Sequence, residues 1–244
     1  MLKKIIYFIF IISFLYSFEQ NLITKDIIQK EKLVDIQSLD PTIKVKLMYA
    51  TTNNFLSKNV YGNLTNCYLR LEAAIKLTNA QRILKQINPN LTLLVYDGLR
   101  PRRIQYIMWE IVKGTEQQQY VANPKGGSIH NYGCAVDLTI AYNNGEPLDM
   151  GTPFDYFGVK AQPRFEEIFV NPEKISNSNL DKKTLSLIKK DLETSGPLTQ
   201  SQLSNRLLLR KIMIEAGFNP IANEWWHFEA FPREEVRKKY NIVE

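Results

Sequence analysis

The sequence predicts an α+β domain built on one core, with a central, mainly antiparallel sheet flanked by helices. Three observations carry that expectation. Short runs at residues 91–96 and 135–140 are apolar, rich in strand formers and closed by turn residues. Longer stretches at 69–87 and 199–216 place apolar residues at helical spacing. No internal repeat divides the 244 residues, and about 225 of them follow an N-terminal leader, a length suited to one core.

The first seventeen residues read as a signal peptide outside that core. Lys3 and Lys4 precede an apolar run from Ile5 to Leu15 that is short for a spanning helix; Ser17 is a candidate cleavage position, but Leu15-Tyr16-Ser17 is a poor small-residue site, which keeps an uncleaved N-terminal anchor as the alternative. The chain is therefore expected to be exported, to the periplasm or beyond, with no stable membrane span after cleavage. Residues 18–32 read as a linker or short helix, and 33–244 as the folded domain. Residues 33–36 and 43–47 carry β-branched residues and are expected as strands. Residues 69–87 form a helix through Leu71, Ala74, Leu77, Ile83, Leu84 and Ile87, stopped by Asn88-Pro89.

After the strand at 91–96, Asp97-Gly98-Leu99-Arg100-Pro101 breaks the chain, and 102–112 is the next helix. Residues 113–127 are turn-rich. The strand at 135–140 follows a loop that Gly133 lets turn sharply. Residues 158–198 are Lys- and Asn-rich and read as a surface excursion with one helix near 182–192. The helix at 199–216 has its cap in Thr199-Gln200-Ser201-Gln202, its repeat in Leu203, Leu207, Arg210 and Ile214, and its stop in Gly217. Glu224 to Phe228 is a turn leading into a strand.

The net charge of +6 falls to +4 without Lys3 and Lys4, and no basic block of the kind that binds nucleic acid is present. Cys67 and Cys134 are able to pair in an oxidising compartment, although their spacing does not decide whether they meet.

The chemistry concentrates in two segments that hold both histidines of the chain. One is Ser128-Ile129-His130-Asn131-Tyr132-Gly133-Cys134-Ala135-Val136-Asp137. The other is Glu224-Trp225-Trp226-His227. A single histidine near a carboxylate is commonly just a satisfied polar residue. Two, each with a carboxylate at close spacing and no other histidine elsewhere, point to a shared task. His130, Asp137 and His227 supply two nitrogens and one oxygen, a ligand set for one catalytic Zn²⁺ at a face of the sheet, with a position left for water. Glu224 is placed to act as the general base for that water.

Several further motifs stand in a recognisable order: Tyr49-Ala50-Thr51-x-x-Asn54-Phe55, Cys67-Tyr68-Leu69-Arg70, the Asp97 to Pro101 turn, and Met150-Gly151-x-x-Phe154-Asp155. With the two histidine segments they resemble the zinc-dependent D-alanyl-D-alanine dipeptidases, over roughly residues 33–157 and 199–229. The resemblance implies His130, Asp137 and His227 as zinc ligands, Glu224 as catalytic base and Arg100 as the arginine that stabilises the transition state. It places Ser128, Tyr49 and Asp155 around a small dipeptide, with Asp155 pairing the substrate ammonium. Asp97 reads either as a turn residue or as a partner of Arg100. The chain departs from the family pattern after Asp155, where 158–198 replaces the usual acidic, His-containing stretch. That departure keeps a second expectation open, a D,D- or L,D-carboxypeptidase acting on longer peptidoglycan stems.

Overall fold

The structure, a computed structural model, describes residues 22–244. The expected signal peptide and the first residues of the linker lie outside the described residues. The rest of the linker is built into the domain. A helix α1 (Lys25–Lys30) is capped by the Thr24 hydroxyl, which accepts from Ile27 N. The buried Ile23 packs with Leu33, Leu99 and Val243. Among the described residues, no helix is long and apolar enough to cross a membrane.

The strand expected at 33–36 is β1 (Leu33–Asp35), which pairs antiparallel with β3 (Tyr68–Arg70) in a small two-stranded sheet. Ile36 instead opens a short helix, α2 (Ile36–Leu39), because the Asp35 carboxylate accepts from Gln37 N and caps it. The second expected strand is reduced to β2 (Lys44–Val45). The long helix is α3 (Leu71–Ile87), followed by β4 (Leu91–Asp97) and α4 (Arg102–Val112). Then come β5 (Ala135–Tyr142), α5 (Glu166–Val170) and α6 (Lys182–Ser195). The chain closes with α7 (Gln200–Glu215), β6 (Asn219–Pro220), β7 (His227–Glu229) and α8 (Arg233–Lys239).

The main sheet has five strands in the order β2-β4-β5-β7-β6. Among the described residues, only β2 and β4 run parallel; the other neighbours are antiparallel, as the sequence predicts. Side chains alternate across each strand. Leu93 and Val95 of β4 and Val136, Leu138 and Ile140 of β5 face the principal core, with Leu77 and Leu84 of α3 and Leu209 and Met213 of α7. Leu94, Tyr96 and Ala141 cluster separately. Asp137 shares the parity of Ala141, so it faces away from the α3–α7 layer.

Two helix faces differ from expectation. Leu71 and Ile87 of α3 are exposed, and Ala73 and Ala80 complete the buried face instead. On α7 the bounds and the Thr199–Gln202 capping box match the sequence, but the stripe does not. Leu207 and Ile214 face solvent, while Arg206, Leu209, Ile212 and Met213 are buried. Apolar residues occur on more than one side of α7, so periodicity alone chose the wrong side. Arg206, a charged residue, holds the inner face.

Residues 158–198 are more than a surface excursion. Val159, Phe165, Phe169, Ile188 and Leu198 form their own apolar cluster. Arg206 seats this segment from α7: its Nη1 donates to Lys160 O at 2.9 Å and its Nε to Met150 O at 2.6 Å. Cys67 and Cys134 are both buried and free, so no disulfide joins them. Cys67 lies in the principal core and Cys134 in a separate cluster with Ile129, Tyr132 and Val236.

Candidate active site

Three adjacent strands position the centre of the site. A register shift between Val95 and Asp97 sets Asp97 opposite Asp137, and Asp137 in turn pairs with His227. Such irregularities re-aim side chains at strand ends. Asp137 and His227 are thus held by the ladder itself.

His130 comes from outside the sheet, on a 3-10 turn, Ile129–Tyr132. Ser128 caps that turn: its Oγ accepts from His130 N, and its own N–H donates to Asn131 Oδ1 at 2.6 Å. Gly133 ends the turn in the left-handed conformation at φ 69°, open to glycine at little steric cost. The turn is fastened to the Arg100 loop, since Arg100 N donates to His130 O and Asn131 Nδ2 to Arg100 O. Gly98 permits the close approach: a Cβ there would run into Cys67 Sγ, and its carbonyl lies 2.8 Å from His130 Nδ1.

The donor atoms converge. His227 Nδ1 is 2.9 Å from Asp137 Oδ1, His130 Nε2 is 3.3 Å from the same oxygen, and the two ring nitrogens are 3.2 Å apart. The outward nitrogens are already committed. His130 Nδ1–H is positioned to donate to Gly98 O, and His227 Nε2 lies 3.4 Å from Glu229 Oε1. Fixing each ring through its second nitrogen, leaving the first directed inward, is the arrangement metal-ligating histidines use. These three buried residues are a group able to hold a metal ion.

The electrostatics follow from the crowding. Burial opposes ionisation of Asp137, but His130 and His227 outweigh it and hold the carboxyl below the usual range. Burial likewise opposes a charge on His227, yet hydrogen bonds to Asp137 and Glu229 raise its pKa to about 10.

Glu229 was absent from the expected site. It accepts from Arg233 Nε at 2.8 Å while facing His227. Its signal was present: positions two apart on a strand share a face, and Glu229 follows His227 by two.

Arg100 is buried and clamped. Its Nε and Nη2 donate to Asp97 Oδ2 at 3.0 and 2.5 Å, and its Nη1 to Gln105 Oε1 at 3.1 Å. Both readings of Asp97 hold, because its Oδ1 also accepts from Gly98 N and from Tyr61 OH. Burial disfavours charge on Arg100, but Asp97 and the neighbouring groups outweigh it and raise its pKa. Removing one member of a buried pair of this kind costs about 3–5 kcal/mol.

One cavity brings the expected residues together. Tyr49, Arg100, Ser128, His130, Asp137, Asp155, Glu224 and His227 all line it. Burial raises the pKa of Glu224, in the direction that suits a proton acceptor working near neutrality. Asp155 sits in a left-handed backbone conformation at φ 60°, uncommon for a residue with a side chain. Its Oδ1 accepts from Tyr49 OH at 3.1 Å, while its buried Oδ2 has no partner among the described residues. Burial, then the nearby Asp137, raises its pKa well above the usual range. An unpaired buried oxygen of this kind suits a cationic ligand. The hydroxyl of Tyr49 is engaged by Asp155, and its ring lies under the Arg100 guanidinium at 5.0 Å. Trp226 walls the same cavity, whereas Trp225 turns its Nε1–H to Thr152 Oγ1.

The chain is similar to several proteins named D-alanyl-D-alanine dipeptidase. That of Escherichia coli is 30% identical over 198 residues, covering 81% of this chain and 84% of the relative. That of Synechocystis is 27% identical over 186 residues, covering 66% and 68%. That of Enterococcus faecalis is 26% identical over 198 residues, covering 74% and 82%. The peptidase M15 family model, described as D-ala-D-ala dipeptidase, matches residues 29–243, which include all eight expected site residues. The buried His-Asp-His group shares its cavity with Glu224 and Arg100, and the match over residues 29–243 shows that the chain belongs to the peptidase M15 family of metallopeptidases.

Proposed function

We propose that the chain hydrolyses D-alanyl-D-alanine to two D-alanines, in turnover of cell-wall peptides, using one Zn²⁺ held by His130 Nε2, an Asp137 oxygen and His227 Nδ1. The observation that carries this reading is the pairing, on one cavity, of a three-donor metal centre with the unpartnered carboxylate oxygen of Asp155. The first fits peptide hydrolysis, and the second fits a substrate with a free ammonium group. The cavity encloses about 180 Å³, well under the roughly 300–1,000 Å³ of pockets for drug-sized ligands. A dipeptide with two methyl side chains is a ligand on that scale.

Zn²⁺ at this centre would acidify the attacking water and polarise the scissile carbonyl. Glu224 takes the water proton as the oxygen attacks, then delivers it to the leaving amine when the C–N bond breaks. Arg100 presents a fixed positive charge to the oxygen on which negative charge develops. Asp155 binds the ammonium, with Tyr49 orienting its carboxylate. The Ser128 hydroxyl accepts from His130 N and keeps its own O–H to donate to a polar atom of the substrate. The signal-peptide pattern of residues 1–17 supports an exported enzyme.

Protein loaded with zinc is assayed for D-alanine release from D-Ala-D-Ala, with L-Ala-L-Ala and an N-acylated D-Ala-D-Ala alongside. Release from the free D,D-dipeptide alone is expected. Comparable cleavage of the acylated peptide would replace the reading with a carboxypeptidase, and no cleavage with zinc bound would sink it.

A further inference from the structure

Three aromatic rings line the cavity that Asp155 also lines, and none has a part in the chemistry described above. Tyr120 and Phe157 stack face to face, with ring centroids 4.3 Å apart and an angle of 9° between planes. Phe55 meets Phe157 edge-on at 4.9 Å and Tyr49 edge-on at 6.2 Å. All three rings line the same cavity as Asp155. They arrive from separate parts of the chain: the loop after Tyr49, the 3-10 turn Glu116–Tyr120, and the loop that carries Asp155. Phe157 lies two residues beyond Asp155, so the ring wall and the ammonium-binding carboxylate belong to one loop.

That position has a steric consequence. A peptide bound with its ammonium on Asp155 directs any added N-terminal residue outward past the same carboxylate. Stacked rings are stiff, with few rotatable bonds, and do not yield as a flexible side chain would. We propose that Phe157 and Tyr120, braced by Phe55, form the wall that restricts the enzyme to dipeptides, acting as specificity-determining residues. The proposal rests on the dipeptidase reading.

The test compares D-Ala-D-Ala with D-Ala-D-Ala-D-Ala, following loss of each peptide by mass spectrometry, for the zinc-loaded wild type and for Phe157→Ala and Tyr120→Ala. Tyr120 is 39% exposed, so its variant is expected to retain the fold even where Phe157→Ala does not. The wild type is expected to consume the dipeptide and spare the tripeptide. In the variants the tripeptide-to-dipeptide ratio of kcat/KM should rise by about tenfold or more, the low end of what pocket shape contributes to selectivity. An unchanged ratio in a folded, active Tyr120→Ala would overturn the wall alone, as would a wild type that cleaves both peptides equally. A zinc-loaded wild type inert on both would overturn the dipeptidase reading and the wall with it.

Discussion

The cavity has two walls of different construction. One is carried by the sheet: Asp97, Asp137 and His227 lie side by side on neighbouring strands, with the His130 turn fastened against them. The other is carried by loops: Tyr49, Phe55, Asp155 and Phe157 meet through a hydroxyl–carboxylate bond and aromatic edges. On the sheet wall the backbone ladder sets the distances, and convergence of three donor atoms needs that rigidity. On the loop wall the backbone is itself unusual, with Asp155 at positive φ, and such a conformation costs of order 1–3 kcal/mol. The sheet wall suits a metal, and in the proposed function the loop wall selects what is brought to it.

Substitutions separate the two. The largest effect is expected on the sheet wall: His130→Ala should lose stoichiometric zinc, and with it turnover, as read by elemental analysis of dialysed protein. Retention of one zinc per chain would remove His130 from the ligand set. Glu224→Ala should keep its zinc and lose about 10²–10⁴ in kcat, the range of general acid–base catalysis. Full activity in that variant would refute the mechanism. Arg100→Lys should cost about 10²–10³ in kcat, as loss of an oxyanion donor does. An ammonium cannot reproduce the planar fork held by Asp97 and Gln105.

On the loop wall, Asp155→Asn keeps a residue that tolerates positive φ but removes the charge. It should raise KM by roughly 10-fold to 100-fold, matching a charge-assisted hydrogen bond of about 1.5–3 kcal/mol, while zinc content stays at one per chain. Zinc loss in this variant would break the division between the walls. The smallest effect is expected from Glu229→Gln, which should weaken zinc by about tenfold, the lower end for a partner of a ligating histidine, measured by competition with a chelator. Unchanged affinity would assign Glu229 to its pairing with Arg233 alone.

Much of the sheet wall was legible before folding. Imidazole is scarce in this chain, and its two occurrences stand at close spacing to Asp137 and Glu224. Glu229 was legible in principle, through the two-residue alternation of a strand. The helix faces were less so. Several sides of α7 carry apolar residues, and burial of Arg206 depends on carbonyls from two distant segments. Periodicity reports a face only where one side is distinctly apolar.

By itself the sequence determined the fold class, the order of the main elements and which side chains are candidates for metal binding and proton transfer, because these rest on local pattern and on side-chain chemistry. Only the tertiary structure decided which nitrogen of each histidine turns inward, that Cys67 and Cys134 stay apart, and that one oxygen of Asp155 is left without a partner. It alone brought Phe55, Tyr120 and Phe157 into one wall. Those facts are relations between segments far apart in the chain, and residue spacing along a chain carries no distance between segments until the core has closed around them.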